Sequence, residues 1–234
     1  MNRKFLYIDV GDTLIKLRYS VSDMYAEVLE EHGFLKSTEK EDIHKHFKLA
    51  WREASSNLPV NHVDRYYAHP KGHIGWWRDL IDSFLFRIAG TKIDSENIYE
   101  KIFKKFDEPG NWAVDSTFFE LVDYLKEKQI GLGIISNWDL RLRALLENMN
   151  LINYFEHVII SAEFGYEKPS PKIFQEGMRL TKLSPPSHFY VGDKLDYDYY
   201  PPESLGWKSF WISKENQVGI RKVERLGDLF RFIE

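Results

Sequence analysis

The sequence contains no cysteine among its 234 residues. Disulfide bonds, thiolate metal sites and cysteine nucleophiles are therefore excluded. The chain also lacks any apolar run that approaches the length of a membrane span, and the apolar stretch at residues 5–8 is too short for a signal peptide. From the sequence alone we expect a cytoplasmic protein with no membrane partner.

An excess of charge of either sign is missing as well. The chain has 32 basic and 36 acidic residues, and its net charge is −4. This small charge gives no electrostatic reason to expect nucleic acid as a partner. Hydrophobic residues make up 43% of the chain, which is enough for a packed core and argues against disorder. A small-molecule partner fits these limits, and the sequence does not indicate an oligomeric state.

Short apolar runs predict the fold class. Runs of this length without alternation are typical of strands in a parallel sheet that is covered on both faces. Five of them occur, at residues 5–10, 130–135, 157–161, 188–191 and 207–212. Helical patterns alternate with the last four runs. The alternation predicts an α/β protein with a doubly wound, Rossmann-like parallel-sheet core.

Residues 15–111 interrupt this alternation. They contain no convincing strand and at least four amphipathic helical patterns. We therefore predict a core domain formed by residues 1–14 and 112–234, with an all-helical cap domain, residues 15–111, inserted after the first strand. In the third of these helices Trp77 falls on the apolar stripe and is predicted to be core. Trp76 lies one position off that stripe and is predicted to face a ligand.

Polar clusters occur where four of the predicted strands end. Ligands of open α/β sheets bind outside the carboxyl ends of the strands, so we expect the four clusters to lie together. The four clusters are residues 9–14, Ser136 with Asn137, Lys168, and residues 192–198. Taken singly, each is ordinary turn or surface chemistry. Taken together they are complementary, and this indicates a catalytic site.

The chemistry of the clusters suits an anionic phosphate. A carboxylate nucleophile needs a cation nearby to suppress its repulsion from the phosphate. Two or three further carboxylates supply the hard oxygen ligands that Mg²⁺ prefers. A hydroxyl, an amide and a lysine can then hold the phosphate oxygens as charge redistributes.

The motifs, their order and the place of the insert resemble the haloacid dehalogenase-like hydrolase superfamily over the whole chain. The helical-cap subgroup with an Asp-x-x-Asp-Thr-Leu first motif and a Ser-Asn-x-Asp second motif is the most similar; it includes proteins described as haloacid dehalogenase-like hydrolase domain-containing. The resemblance implies that Asp9 is the nucleophile and forms an aspartyl-phosphate. It also implies that Lys168 steadies both the nucleophile and the phosphate.

The resemblance also implies the remaining site residues. Ser136 matches the phosphate-binding residue of the second motif, and Asn137 lies beside it. Thr13 matches the threonine that supports the nucleophile loop. The predicted phosphate-binding set is Ser136, Asn137, Lys168 and Thr13. The predicted Mg²⁺ ligands are Asp9, the Gly11 carbonyl, Asp193 and, through water, Asp198.

One position departs from the family pattern. The second aspartate of the first motif, which protonates the leaving alcohol and later activates water, is Gly11 here. Glycine can do neither, although its carbonyl can still bind a metal. Two interpretations of the next residue stay open: Asp12 replaces the missing acid, or Asp12 only shapes the loop.

The sequence therefore leaves three functions. The first is a Mg²⁺-dependent phosphatase for a small phosphorylated metabolite, with low activity because of Gly11. The second is a dehalogenase or a hydrolase of C–P bonds, since such family members also lack the second aspartate. The pair Asp193 and Asp198 argues against a dehalogenase, which needs no Mg²⁺, and no lysine stands out for the C–P reaction. The third is a catalytically degenerate protein that keeps the fold for binding.

Overall fold

The computed structural model describes residues 3–34, 40–56 and 58–233. The chain separates into two compact units. The core unit comprises the described residues of Met1–Lys16, Asn61–Asp64 and Ala113–Glu234, and the helical unit comprises those of Leu17–Val60 and Arg65–Trp112. A four-residue segment from the middle of the long insert therefore clusters with the core unit.

Eight strands are present in the described part of the chain. They are β1 (Phe5–Ile8), β2 (Ile15–Leu17), β3 (Trp112–Val114), β4 (Gly131–Ser136), β5 (His157–Ile160), β6 (His188–Gly192), β7 (Lys208–Ile212) and β8 (Lys222–Val223). Six of them form one parallel sheet in the order β5-β4-β1-β6-β7-β8. All five predicted strands are confirmed, and the edge strand β8 is an addition.

Ten α-helices accompany the strands in the same part of the chain. They are α1 (Val21–Glu31), α2 (Lys40–Ser56), α3 (Arg65–Ala68), α4 (Gly72–Ala89), α5 (Glu96–Asp107), α6 (Phe118–Glu127), α7 (Leu142–Asn148), α8 (Ser161–Phe164), α9 (Pro171–Thr181) and α10 (Tyr200–Ser204). Helices α1 to α5 follow one another without a described strand between them, whereas α6, α7, the pair α8 and α9, and α10 lie between successive strands. The predicted doubly wound α/β fold is confirmed.

The central strand β1 decides where a site can form. Its four residues are all fully buried, and it pairs with β4 on one side and β6 on the other. The chain reaches β4 first and β6 only later, so the strand order reverses on the two sides of β1. Such a switch point leaves an opening at the carboxyl ends of the strands. Residues 9, 136–137 and 193 leave their strands at this edge.

The helix predictions hold for the buried faces and fail at one cap. The sequence pattern places Phe118, Leu121, Val122 and Leu125 on one face of α6, and all four are buried. It also predicts an N-cap at Ser170, whose hydroxyl accepts a hydrogen bond from the Lys172 N–H at 3.3 Å. The pattern Thr117-Phe118-Phe119-Glu120 predicts a capping box, and this prediction is wrong. The Thr117 hydroxyl donates to Asp115 at 2.6 Å and accepts from the Gly227 N–H at 2.8 Å, so tertiary contacts use the group that a cap would need.

Aromatic packing dominates the helical unit. Tyr25 meets Phe84 edge to face at 5.2 Å, which is a favourable geometry for two rings. On α4 the prediction for the paired tryptophans is wrong: Trp76 is buried, at 8% exposure, while Trp77 is half-buried. Further along α4, Ile81, Phe84 and Leu85 are buried, as the helical pattern predicts, so the prediction fails at the amino-terminal turns of the helix.

The prediction that residues 15–111 contain no strand is wrong at Ile15–Leu17. This segment pairs with Trp112–Val114 as a separate two-stranded sheet, and neither strand joins the main sheet. Three residues are too few for an alternating pattern to be recognised in a sequence. No helix in the described ranges is long and apolar enough to cross a membrane.

Two histidines at the amino ends of strands predict how stability depends on pH. Burial lowers the pKa of His188 and of His157, so the folded protein disfavours their charged forms. In the unfolded chain a histidine binds its proton near pH 6.5. The unfolded state therefore holds more protons than the folded state as the pH falls below about 6.5.

We expect the free energy of unfolding, measured by urea denaturation, to fall as the pH is lowered from 7.5 to 5.5. His188→Gln should be less stable at pH 7.5, because the imidazole contacts to Ser184 and Thr181 are disturbed, but its stability should vary less with pH. Substitution of the exposed His44 by Gln is the control. An undiminished pH dependence in the His188 variant would contradict the assignment.

Candidate active site

Asp9 follows β1 directly and lies at the centre of the site. Its side chain is almost buried, and its backbone N–H donates to the carbonyl of Val191 on β6 at 2.9 Å. After it the chain turns tightly, because the Val10 carbonyl accepts from the N–H groups of Leu14 at 2.9 Å and Ile15 at 3.0 Å. The turn fixes the direction in which the Asp9 carboxylate leaves the sheet.

The other residues of this turn differ in environment. Asp12 is exposed, and its φ of 57° lies in the left-handed region, which Asp tolerates better than most residues. Its N–H donates to the Ile15 carbonyl at 2.9 Å. Thr13 is fully buried, and its Oγ1 has no hydrogen-bond partner among the described residues. The acid role of Asp12 and the phosphate role of Thr13 stay predictions.

Gly11 leaves room for a side chain. A Cβ built at this position meets Cζ3 of Trp138 at 3.4 Å, which is an ordinary van der Waals distance. The backbone there does not have a positive φ. Nothing in the local geometry therefore demands glycine at the position where the family pattern has its second aspartate.

Lys168 is buried and joins two carboxylates. Its Nζ lies 2.9 Å from Asp9 Oδ1 and 2.5 Å from Asp198 Oδ1, and it donates to the Tyr190 hydroxyl at 3.0 Å. Burial alone would lower the pKa of Lys168, but the charges of Asp198 and Asp9 outweigh burial and raise it. The lysine is therefore held as an ammonium that donates hydrogen bonds to Asp198 and Tyr190 and forms an ion pair with Asp9.

Tyr190 is a site residue that the sequence did not reveal. It lies within the apolar run of β6, where an aromatic residue is expected to be core. Its hydroxyl accepts from Lys168 and donates to the Ile135 carbonyl at 2.7 Å, and burial raises the pKa of the phenol well above its usual range. The phenol is thus a neutral link between the lysine and the end of β4.

Asp193 and Asp198 approach Asp9 from the loop after β6. One carboxylate oxygen from each of the three residues lies within 4.8 Å of the others. Burial raises the pKa of Asp193, with a further contribution from Asp9. Burial also raises the pKa of Asp198 to about 6, although Lys168 opposes the shift. Three carboxylates this close favour the presence of cations, and their oxygens fit a hard divalent ion.

Two contacts shape the loop that carries these aspartates. Lys194 Nζ lies 2.5 Å from Asp193 Oδ2, and the Lys194 N–H donates to Asp198 Oδ2 at 2.9 Å. A Cβ on Gly192 would lie only 2.3 Å from Cγ of Asp198. Glycine is therefore required at position 192 for the Asp198 carboxyl group to pack where it does.

Ser136 and Asn137 end β4, the neighbour of β1. Ser136 is buried at 1% exposure. The side-chain amide of Asn137 makes two hydrogen bonds to the backbone of Lys168: Nδ2 donates to the carbonyl at 2.8 Å, and Oδ1 accepts from the N–H at 2.6 Å. Asn137 therefore contacts the predicted catalytic lysine. The phosphate-binding roles of both residues stay predictions.

The chain thus has a parallel α/β sheet with a buried aspartate at the carboxyl end of its central strand. A family model described as haloacid dehalogenase-like hydrolase matches residues 7–212, and the chain belongs to this family. The family resemblance seen in the motifs is thereby confirmed, and the chain is a hydrolase.

Curated relatives agree with the family. The chain is similar to human haloacid dehalogenase-like hydrolase domain-containing protein 3, with 31% identity over 212 residues that cover 89% of this chain and 81% of that protein. It is also similar to glyceraldehyde 3-phosphate phosphatase of Pyrococcus abyssi, with 33% identity over 125 residues that cover 47% of this chain and 50% of that protein.

Solved structures show the same fold. The HAD-hydrolase YfnB from Bacillus subtilis, bound to magnesium, matches with a TM-score of 0.74 at 17% identity and covers 100% of this chain and 99% of its own. The L-2-haloacid dehalogenase RSc1362 matches with a TM-score of 0.69 at 14% identity, with coverage of 100% and 99%. At these identities the two likenesses establish the fold alone.

The close approach at Gly192 generates a prediction. Gly192→Ala should displace the Asp198 carboxyl group and lower the free energy of unfolding by about 1–3 kcal/mol, the usual cost of overpacking. Gly110→Ala is the matched control, because a Cβ there meets nothing within 4 Å. Thermal unfolding of both variants provides the measurement. Equal melting temperatures for the two variants would show that Asp198 moves away without cost.

Proposed function

We propose that this hydrolase is a Mg²⁺-dependent phosphatase that acts on a small phosphorylated metabolite of the cytoplasm through an aspartyl-phosphate on Asp9. One observation carries the proposal: three carboxylates converge within 4.8 Å at the carboxyl end of the sheet, and a buried lysine bridges two of them. The partial match to glyceraldehyde 3-phosphate phosphatase of Pyrococcus abyssi supports a phosphorylated substrate.

The chain's own residues suit a two-step displacement. An Asp9 oxygen attacks phosphorus, a new O–P bond forms, and the bond from phosphorus to the leaving oxygen breaks. Lys168, 2.9 Å from that carboxylate, places a positive charge where the transferred phosphoryl group carries negative charge. Water then attacks the aspartyl-phosphate, which releases phosphate and restores Asp9. Ser136 is proposed to hold a phosphate oxygen.

A divalent ion fits the donor set. Asp9, the Gly11 carbonyl and Asp193 would hold Mg²⁺, and Asp198 would contribute through water, since Lys168 and the Lys194 N–H already engage its two oxygens. Bound Mg²⁺ would offset the charge of the phosphate and so reduce its repulsion from the nucleophile. The raised pKa of Asp193 supports this assignment, because a buried carboxylate near other anions gains from a cation.

A dehalogenase is the second candidate, and Gly11 favours it. A halide leaves without a proton, so such an enzyme needs no acid at position 11. Structural similarity to dehalogenases is compatible with it, but that similarity concerns the fold alone. The cluster of Asp9, Asp193 and Asp198 weighs against it, because a metal-free reaction has no use for three converging carboxylates.

The first prediction for this function concerns the metal. Turnover of p-nitrophenyl phosphate should require Mg²⁺ and stop in chelator. Asp193→Asn should weaken Mg²⁺ binding at least about tenfold, a loss seen even for residues that only support a metal ligand. Asp196→Asn, a change at an exposed aspartate of the same loop, is the matched control and should retain affinity. Full activity in chelator, or release of halide from 2-haloacids, would favour the dehalogenase.

The second prediction concerns the missing acid. A positioned general acid contributes about 10²–10⁴-fold, so alkyl phosphates should react slowly and activated esters should react faster. With activated esters the leaving group should appear in a burst, because no carboxylate at position 11 activates water for the second step.

Gly11→Asp should raise kcat for alkyl phosphates, since it restores the acid of the family pattern at a position where a Cβ fits. Gly11→Asn, of similar shape but unable to donate an acidic proton, should not. Asp12→Asn should leave the rates unchanged if Asp12 only shapes the loop. Fast wild-type turnover of alkyl phosphates that Asp12→Asn abolishes would show instead that Asp12 is the acid.

A further inference from the structure

We propose that the side chain of Asn137 and the backbone of residues 61–64 form a clamp that positions Lys168. This inference deepens the proposed function and rests on it, since Lys168 matters only if it steadies the nucleophile and the phosphate. The clamp consists of Asn137 together with residues 61–64. Each side of the clamp holds a different part of the loop that carries the lysine.

Asn137 forms the first side. Its amide pairs with both the N–H and the carbonyl of Lys168, at 2.6 Å and 2.8 Å, much as a neighbouring strand would. Buried backbone groups must be paired, and here a side chain supplies both partners. The interaction fixes the backbone of Lys168 relative to the end of β4, and therefore relative to the neighbouring β1 and Asp9.

Residues 61–64 form the second side. Val63 and Tyr166 face each other in an antiparallel bridge. The Asp64 N–H donates to the Gly165 carbonyl at 3.0 Å, and the Glu167 N–H donates to the His62 carbonyl at 3.0 Å. These bonds hold the three residues immediately before Lys168. The segment belongs to the core unit although it comes from the middle of the long insert.

Two residues of segment 61–64 have an unusual backbone conformation. Asn61 and His62 have φ values of 59° and 56°, both in the left-handed region. Such a conformation is uncommon for a residue other than glycine, and it persists where surrounding contacts determine it. His62, one of these two residues with positive φ, is also the residue whose carbonyl accepts the hydrogen bond from the Glu167 N–H.

Lys168 needs such support because of its side chain. Four rotatable bonds separate its backbone from Nζ, and holding them costs conformational entropy. The ammonium must nevertheless meet Asp9, Asp198 and Tyr190 at 2.5–3.0 Å in a buried site. A backbone fixed on both sides reduces the number of alternatives that the side chain can reach.

The experiment measures the protection of Lys168 in the full-length chain, without substrate or metal. Sulfosuccinimidyl acetate acetylates accessible amines, and mass spectrometry of peptides gives the rate at each lysine. Wild-type Lys168 should be protected, and Asn137→Ala should speed its labelling at least about fivefold, as expected when a buried hydrogen bond is lost. The exposed Lys126 provides an internal rate, and Leu229→Ala, in the core, controls for a general loss of stability.

The second side has its own variants. Asp64→Pro removes the N–H that donates to the Gly165 carbonyl. If that variant does not fold, Val63→Gly, which weakens the bridge between Val63 and Tyr166, is used in its place. Either should speed labelling of Lys168, whereas Val60→Gly, at an exposed position just outside the clamp, should not. Unchanged protection in the Asn137 variant or in the folded variant of residues 63–64 would overturn the clamp.

Inhibition by inorganic phosphate distinguishes two roles for Asn137: a residue that positions Lys168, and a residue that binds phosphate. Ser136→Ala should weaken inhibition while Lys168 stays protected. Asn137→Ala should lower kcat and expose Lys168. Asn137→Ala could instead weaken phosphate inhibition, as Ser136→Ala does, and leave Lys168 protected. That result would show that Asn137 is a phosphate ligand and that the clamp is wrong. Absence of phosphatase activity in the wild type would refute the proposed function, but the labelling result would still decide whether the clamp exists.

Discussion

The buried ammonium of Lys168 is the contact on which the site depends. Asp9 and Asp198 are both withdrawn from water, and two buried carboxylates repel each other unless a positive charge lies between them. The sheet brings Asp9 to this point through β1, and Gly192 lets the Asp198 loop fold close enough. Tyr190 supplies the third acceptor. The structure around the lysine is therefore arranged so that one charge lies within 3.0 Å of three oxygens.

Much of this arrangement could be predicted from the sequence because it follows from local patterns. Uninterrupted apolar runs determine the strands, and parallel strands bring their carboxyl ends to one edge. Residues as distant in sequence as Asp9 and Asp193 therefore meet without any need to predict a long-range contact. The strand order confirms that logic, and the carboxylate cluster has the composition that the motifs imply.

Contacts between residues that are distant along the chain could not be predicted from the sequence. Tyr190 occupies an apolar run, and nothing in that run separates a core ring from one whose hydroxyl reaches Lys168. The pairing of Val63 with Tyr166 uses backbone groups, which every residue has, so no particular side chain in the sequence indicates it. On α4 the predicted stripe is correct at Ile81, Phe84 and Leu85 but fails at the paired tryptophans, where the buried ring is Trp76. Neighbouring residues of a helix point about 100° apart, so both rings of the pair lie near the edge of the stripe.

The loss of the second aspartate at Gly11 also changes the charge of the site. Asp9, Asp193 and Asp198 carry three negative charges and Lys168 and Lys194 two positive ones, so the net charge of these five groups is about −1 when all are ionised. A further aspartate at position 11 would double that negative charge in a place where burial already raises the pKa of two carboxylates. The glycine thus removes an acid and base from the site, but it also relieves repulsion. A chain with glycine at this position can keep the carboxylates of Asp9, Asp193 and Asp198 close together at a smaller electrostatic cost, because no fourth carboxylate at position 11 adds to their repulsion.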